Sequence, residues 1–360
     1  RQRRQQMEVR RRPTYPRKPF NSIHDTERNG LSTPEADPSL FEEAVTQVNK
    51  NTENHLFPLW MNNFAVNLST ARRGMSLDKI FCEPPTEKVL IVGRGPSLQA
   101  NSHTKVLAEN LDKFRGKIIA SDGALPLLQE ADVNPDYSLT VDGSPIISKW
   151  YQNKTLGSCR AVLPLTVHPS TFHACVYNKY KVYWYIPELD TENFKGSTHL
   201  LQLQTVCEEN PTGLSRMNGA GCAGLCCIVF ATTILRTKEI VLIGMDNGYR
   251  QDTPIEQLHY HDSILRSSGF NAEQTAKLYK IYYAPATEQY CVVDPVFEIY
   301  RRTFSALANQ IIGSGVRLVN CSEGGCLYPE VLDVAKDERH IIEGLKASKL
   351  KDYLTDLPNR

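Results

Sequence analysis

The sequence predicts an α/β protein with a doubly wound, mostly parallel, Rossmann-like sheet and a small helical subdomain before it. Short apolar runs rich in branched residues alternate with longer helical patterns along the chain. Such alternation is typical of parallel sheets that are covered by helices on both faces. Glycines or polar residues follow directly after most of these runs. The carboxyl ends of parallel strands are where proteins of this class bind ligands.

The predicted strands are short apolar runs bounded by turn residues. They cover Lys88–Val92, Lys117–Ala120, Tyr137–Val141, Ala161–Leu165, Lys181–Ile186, Glu239–Ile243 and Val316–Asn320. Apolar residues at helical spacing predict two long helices in the same region, over Gly219–Leu235 and Pro295–Ile312. These elements place a Rossmann-like domain at residues 81–330.

Composition changes on both sides of this domain. Residues 1–37 carry eight Lys or Arg side chains among the first 18 positions against one acid, which predicts a flexible basic arm. A helical subdomain is predicted over 38–80, where apolar residues recur at helical spacing from Phe41 onward. We expect a helical tail over 331–360.

The overall composition is that of an ordinary globular protein, with 41% hydrophobic residues, 22% charged residues and a formal net charge of +1. This balance gives no reason to expect a nucleic-acid partner. No apolar run reaches the length of about 18 residues that a transmembrane helix needs. The ten cysteines include no C-x-x-C pair, which favours small core residues in a reduced protein over a zinc site. We therefore expect a cytoplasmic protein.

The loop after the first predicted strand is the strongest candidate for a phosphate site. Its residues are Gly93, Arg94, Gly95, Pro96 and Ser97. Glycines let the backbone approach an anion, and a helix start behind the loop would offer free N–H groups. Leu98 occupies the third glycine position of a dinucleotide fingerprint, and a tight turn without a ligand is the alternative. We expect Gly95→Val to abolish nucleotide binding and to leave the fold intact.

Two aspartates follow the next strands. Asp122 and Asp142 each come just past a predicted strand and directly before a glycine, Gly123 or Gly143. Paired carboxylates at one edge of a sheet can hold Mg²⁺ against a diphosphate or accept hydrogen bonds from a ribose. The alternative is a helix cap at the first aspartate and an Asx turn at the second.

Three further places carry candidate site residues. Asn218 and Gly219 open the small-residue helix, where free backbone N–H groups would face an anion. Asp246 and Asn320 follow two later strands. His259 and His261 lie two residues apart in a polar segment, and one of them is our candidate general base, with surface histidines as the alternative.

Four motifs in this order carry a family resemblance. They are Val-Gly-Arg-Gly-Pro-Ser-Leu at 92–98, Ser-Asp-Gly-Ala at 121–124 with Asn-Pro-Asp and Val-Asp behind it, Asn-Gly-Ala-Gly at 218–221 with Ile-Gly-Met-Asp-Asn-Gly-Tyr at 243–249, and Val-Asn-Cys-Ser-Glu-Gly-Gly-Cys-Leu at 319–327. Together they resemble the domain shared by motility-associated-factor (Maf) flagellin glycosyltransferases and archaeal 6-hydroxymethylpterin diphosphokinases. The Gly-Pro-Ser-Leu segment is also similar to the cytidine-nucleotide loop of bacterial sialyltransferases.

The resemblance implies a glycosyltransferase that uses a nucleotide-activated sugar, with a CMP-linked nonulosonic acid as the favoured donor. The acceptor would be a hydroxyl group on a protein or glycan. The pterin kinases carry Asp-Leu-Asp-Gly where this chain has Thr-Val-Asp-Gly at 140–143, so one carboxylate is missing. That difference disfavours Mg²⁺-dependent diphosphate transfer of the hydroxymethylpterin type. This diphosphokinase activity and a non-catalytic nucleotide-binding role are the alternatives.

The implied site assigns a role to each motif. The Gly93–Ser97 loop, Asn218 and Gly219 would bind phosphate, and Asp122 would lie beside the reacting sugar. The remaining nucleotide or substrate residues would be Asp142, Gly143, Asp246, Asn320, Ser322 and Glu323. No cofactor is required for sugar transfer, and Mg²⁺, if used, would bind to the two aspartates. Homo-oligomerisation stays open.

Overall fold

The computed structural model describes residues 38–71, 75–153, 158–188, 198–209, 212–253, 258, 274 and 277–357. The predicted basic arm at 1–37 lies outside these residues, as do His259 and His261. No helix within the described ranges is long and apolar enough to cross a membrane.

The described chain alternates helices and strands over most of its length. The helices are α1 Pro38–Asn51, α2 Phe57–Ala71, α3 Asp78–Phe81, α4 Ser97–Ala100, α5 His103–Ala108, α6 Leu125–Glu130, α7 Pro169–Tyr177, α8 Thr198–Glu209, α9 Ala223–Thr233, α10 Pro295–Gly313 and α11 Leu350–Thr355. Short 3₁₀ turns cover Asp122–Ala124 and Pro145–Tyr151, and a π turn covers Thr52–Leu56.

The strands form two sheets. They are β1 Met75–Ser76, β2 Lys88–Val92, β3 Lys117–Ser121, β4 Tyr137–Leu139, β5 Arg160–Pro164, β6 Lys181–Glu188, β7 Arg216–Asn218, β8 Glu239–Ile243, β9 Tyr249–Arg250, β10 Lys280–Ala284, β11 Gln289–Val293, β12 Arg317–Asn320, β13 Glu330–Asp333, β14 Glu338–Ile341 and β15 Lys346–Ala347.

The main sheet confirms the predicted α/β class. Its strand order is β1-β6-β5-β4-β3-β2-β8-β12-β15, with β7 beside β6, and all these neighbours are parallel. All seven predicted strands belong to it, with ends shifted by two residues or fewer. From β2 the chain moves outward through β3, β4, β5 and β6. It then returns to place β8 and β12 on the other side of β2, so the winding reverses between β2 and β8.

Side chains of the central strand alternate between two cores. In β2, Val89 and Ile91 pack in one hydrophobic cluster, and Leu90 and Val92 pack in the other. All four are fully buried. A strand buried on both faces needs apolar residues at every position, which explains the unbroken apolar run in the sequence.

The helical part before the sheet is joined to it by two buried asparagines on α2. Asn63 donates from Nδ2 to the carbonyls of Gly143 and Thr166, each at 2.9 Å. Asn67 donates to the carbonyls of Leu165 and Val167, at 2.9 and 2.7 Å. The predicted helical interval 38–80 also contains the short strand β1, which pairs with β6 of the main sheet. The last part of this interval therefore belongs to the sheet.

The second sheet is antiparallel and was not predicted. Its order is β14-β13-β10-β11-β9. The predicted helical tail at 331–360 differs from the structure, which has β13, β14 and β15 in this region and, within the described residues up to 357, one helix, α11. Residues such as Glu338 and Arg339 favour helices locally, but cross-strand pairing with β13 decides their conformation.

Candidate functional site

The loop after β2 is tied to β8 rather than open to a ligand. Gly93 N donates to the carbonyl of Ile243 at 2.8 Å, and Gly95 N donates to that of Gly244 at 2.7 Å. Ser97 N donates to Asp246 Oδ2 at 2.7 Å, and Ser97 Oγ donates to Asp246 Oδ1. Pro96 has no N–H. Three of the loop amides that were expected to cradle phosphate, those of Gly93, Gly95 and Ser97, are therefore used within the protein.

Asp246 occupies the position expected for the anion. It is 4% exposed. Burial raises the pKa of its carboxyl group to about 6, although the two bonds from Ser97 act in the opposite direction. Cys326 N donates to the Asp246 carbonyl at 2.9 Å, so the segment after β12 closes over this residue. Asp246 thus joins three loops at the ends of β2, β8 and β12.

Arg94 carries the charged side chain of the loop. It is exposed, and its guanidinium lies 4.0 Å from the centre of the Trp150 ring, a cation–π contact. Its side chain also covers Gly123, where a Cβ would lie 2.5 Å from Arg94 Cδ. The side chain is therefore held near the end of β3. The sequence did not predict Trp150 as a site residue, because nothing in its local pattern shows that it contacts the loop after β2.

Asp122 and Asp142 lie just past the ends of β3 and β4, and Asp122 is close enough to Arg94 and to Asp142 for both charges to act on it. Both are half-buried. Burial raises the pKa of Asp122 to about 6; the charge of Asp142 adds to this, and bonds from Thr140 and Gly123 and the charge of Arg94 act against it. Burial also raises the pKa of Asp142, against a bond from Ser144 N. The prediction that these two carboxylates share one edge agrees with their mutual repulsion.

Each carboxylate keeps bonding capacity after its local contacts. Gly123 N donates to Asp122 Oδ1 at 2.6 Å, and Ser144 N donates to Asp142 Oδ1 at 2.7 Å. The bond to Asp142 is the predicted Asx turn. Asp122 does not cap a helix as the alternative predicted, because it lies within the 3₁₀ turn and binds the N–H of its own neighbour, and Thr140 also bonds to it. Two carboxylates suit a Mg²⁺ ion that takes its other ligands from water and substrate phosphate. No group of three or more His, Cys, Asp or Glu side chains among the described residues could hold a metal by itself.

The start of α9 lies against the same cluster. Burial raises the pKa of the thiol of Cys222, the N-cap residue of α9, and the charge of Asp122 raises it further. Gly219 lies beside the end of β4, since a Cβ there would be 3.4 Å from Val141 Cγ1. Asn218 is exposed, and its Oδ1 accepts a bond from Ala220 N at 2.7 Å. The prediction that Asn218 and Gly219 open the helix is wrong. Asn218 is the last residue of β7 and α9 begins only at Ala223, so the N–H groups of Asn218 and Gly219 are not those of a helix start.

The site residues predicted at the end of β12 and just after it make hydrogen bonds within the protein. Asn320 is completely buried; its Nδ2 donates to the Leu327 carbonyl at 2.5 Å, and its Oδ1 accepts from Ser322 N at 2.9 Å. Ser322 Oγ accepts from Met245 N at 3.0 Å. Glu323 Oε2 is 2.9 Å from His103 Nε2. The polar groups of these three residues are thus bonded within the protein, which differs from the predicted contact with a nucleotide or substrate.

Gly143 also differs from the expected ligand contact. It is buried, and a Cβ there would collide with Trp60 and lie 2.6 Å from the Thr166 carbonyl. Its role is to let α2 pack against the loop after β4. His259 and His261 lie outside the described residues, so their assignment as a base stays a prediction.

The fold and this cluster define a doubly wound α/β domain with a site of one arginine and two aspartates at the ends of β2, β3 and β4. The chain belongs to the 6-hydroxymethylpterin diphosphokinase MptE-like family, whose sequence model matches residues 62–252. The matched range thus includes Arg94, Asp122 and Asp142 as well as the start of α9.

One solved structure supports the fold. The chain is similar to the MAf glycosyltransferase from Magnetospirillum magneticum AMB-1, with a TM-score of 0.51 and 17% sequence identity. The likeness covers 80% of this chain and 40% of that one, so this chain matches less than half the length of that protein. No curated protein is significantly similar to the chain in sequence.

Proposed function

We propose that this protein is a transferase that binds a nucleotide-linked donor at the ends of β2, β3 and β4 and transfers a sugar. The observation that carries the proposal is the cluster of exposed Arg94 with half-buried Asp122 and Asp142. A guanidinium suits the phosphate of such a donor, and carboxylates suit its hydroxyl groups. Membership of the MptE-like family and the fold shared with a Maf glycosyltransferase support this choice.

The proposed reaction gives each of these groups a task. The bond between the anomeric carbon and the phosphate oxygen breaks, and the nucleotide leaves with the electron pair. The acceptor oxygen bonds to the same carbon and loses its proton to a base, for which His259 or His261 remains the prediction. Positive charge develops on the sugar, where the Asp122 carboxylate stabilises it. Arg94 stabilises the negative charge that develops on the leaving phosphate.

The donor and acceptor follow only from the sequence resemblance. It favours a CMP-linked nonulosonic acid as donor and a hydroxyl group of a protein or glycan as acceptor. Two half-buried carboxylates beside an arginine also suit other nucleotide sugars, so the first experiment compares nucleotides.

We expect one nucleotide from a panel of CMP, UDP, GDP and ATP to raise the melting temperature by a few degrees. A ligand at about 100 times its Kd stabilises the folded state by about 2.7 kcal/mol. Arg94→Gln should remove most of the increase, because it removes the cation expected to bind phosphate. Differential scanning fluorimetry of the full chain measures both effects.

Arg115→Gln is the matched control, since Arg115 is exposed in the turn that precedes β3. It should keep the full increase. If no nucleotide shifts the melting temperature, the donor-binding proposal is overturned and the non-catalytic interpretation is favoured. Equal shifts in both arginine variants would place the nucleotide elsewhere.

A second candidate is Mg²⁺-dependent diphosphate transfer, which the mutual repulsion of Asp122 and Asp142 and the family membership favour. Such a pair gains stability from a divalent cation between its carboxylates and the substrate phosphates. We expect sugar transfer to survive EDTA at least in part, as measured by product formation with and without the chelator. Complete loss of activity that Mg²⁺ restores would favour the second candidate.

A further inference from the structure

A cavity lies beside α10, where this helix packs against the antiparallel sheet. It has a volume of about 350 Å³ and is lined by Lys280, Tyr282, Glu298, Arg301, Arg302, Ser305, Asp333, Lys336, Glu338 and His340. This volume is at the lower end of the range for small-molecule sites. None of these residues belongs to the cluster around Asp122.

Cations surround one buried carboxylate in the wall of this cavity. Glu298 is 1% exposed. It accepts bonds from Arg301 Nε at 2.8 Å, Arg302 Nε at 2.9 Å, Lys280 Nζ at 3.2 Å and the Tyr282 hydroxyl at 3.0 Å. Burial alone would raise the pKa of Glu298, but the three cations lower it to about 2. The carboxylate therefore stays ionised and fixes the cations in place.

The side chains that line the cavity carry more positive than negative charge, and the excess lies where the cavity opens to solvent. Four Lys or Arg side chains face three carboxylates. Asp333 is 2% exposed, and its Oδ1 accepts bonds from the backbone N–H groups of Ala335 and Lys336. The side chain of Arg302 is 54% exposed. Among the described residues, the Lys336 ammonium has no carboxylate within ion-pair distance. Two cations thus face solvent at the mouth, and Glu338 is the exposed one of the three carboxylates that line the cavity.

His340 supplies an unpaired hydrogen-bonding group inside the cavity. Its Nε2 is buried and has no partner among the described residues. The ring stands edge-on to Tyr282, with centroids 5.8 Å apart. Burial lowers the pKa of His340, and the Arg301 charge lowers it further. A neutral imidazole with an unpaired buried nitrogen is costly unless a ligand completes the bond.

We propose that this cavity binds a small anionic molecule, with a phosphate or carboxylate group at the mouth between Arg302 and Lys336. A polar group of the same ligand bonds to His340 Nε2. Charged hydrogen bonds from a guanidinium and an ammonium suit either anion. The inference does not depend on the proposed transferase activity, because it uses a different set of side chains.

The helix α10 also links this cavity to the first site. Tyr300 precedes Arg301 and contacts the turn before α9, where a Cβ at Gly221 would lie 3.5 Å from its ring. One helix therefore carries side chains at both places. The proposed anion site and the contact with the turn before α9 are therefore both on helix α10.

Isothermal titration calorimetry of the full chain with inorganic phosphate and with citrate tests the proposal. We expect saturable binding of at least one probe, and the tighter of the two identifies the anionic group. Arg302→Gln and Lys336→Gln should each weaken it roughly tenfold or more, the effect of losing one charge-assisted hydrogen bond. Lys336→Gln breaks no ion pair among the described residues, whereas Arg302→Gln also removes the bond from Arg302 Nε to the buried Glu298. The Lys336 variant is therefore the cleaner test of the anion site.

Two controls separate this site from the first. Lys346→Gln changes an exposed lysine on β15, outside the cavity, and should leave binding unchanged. Arg94→Gln should also keep it. The proposal is overturned if neither probe binds saturably, if the Arg302 and Lys336 variants bind like wild type, or if only Arg94→Gln loses binding. If no nucleotide raises the melting temperature but the anion still binds, the proposed function is contradicted and the anion site is not.

Discussion

Asp122→Asn is expected to lower turnover by about 10²–10³-fold, the usual cost of removing one group that stabilises transition-state charge. The change keeps the shape of the side chain, and an amide oxygen can still accept the bond from Gly123 N. It removes the negative charge opposite the developing positive charge of the sugar. Donor binding should change far less, so steady-state kinetics should show a lower kcat with a similar KM.

The pH profile adds a second measurement at this residue. Burial raises the pKa of Asp122 to about 6, so its carboxylate form is lost as the pH falls through 6. Wild-type turnover should therefore decline below about pH 6, and this decline should be absent from the residual activity of Asp122→Asn. Asp112→Asn is the control, since Asp112 is exposed on a turn. A wild-type rate in Asp122→Asn would remove this residue from the catalytic machinery.

Gly95→Ala should destabilise the protein by about 2–4 kcal/mol, which is large for the addition of one methyl group. A Cβ at this position would meet Asp246 Cγ and would lie 2.7 Å from both Asp246 Oδ1 and the Gly244 carbonyl. Two of these neighbours belong to a buried carboxylate with fixed hydrogen bonds, and the third is backbone. Urea unfolding should show a lower midpoint with an unchanged slope.

This result differs from what the sequence predicts for the same glycine. The loop motif suggests that Gly95 keeps space for a ligand, so that a larger residue would spare the fold. In the structure the side chain of Asp246 occupies that space. Gly313→Ala is the matched control: a Cβ at the last residue of α10 meets nothing within 4 Å, so stability should change by less than about 1 kcal/mol. Equal stability of the Gly95 and Gly313 variants would contradict the packing argument.

Part of the site could be predicted because the signal is local. Asp122 and Asp142 each follow an apolar run, and the end of a parallel strand fixes the edge of the sheet on which a residue lies. Arg94 could be placed on the same grounds. Trp150 could not, because its contact with Arg94 joins segments more than fifty positions apart. For the same reason the cavity beside α10 has no signature in the chain.

By itself the sequence determined the doubly wound sheet, its seven main strands and the helices α9 and α10, because burial on two faces imposes an unbroken apolar run on each strand. Only the tertiary structure decided which polar groups remain free at the strand ends. Asp246 and Asn320 follow strands as Asp122 does, yet their hydrogen bonds are used within the protein. A sequence places a polar group at an edge, but whether another loop or a ligand becomes its partner depends on contacts between distant segments.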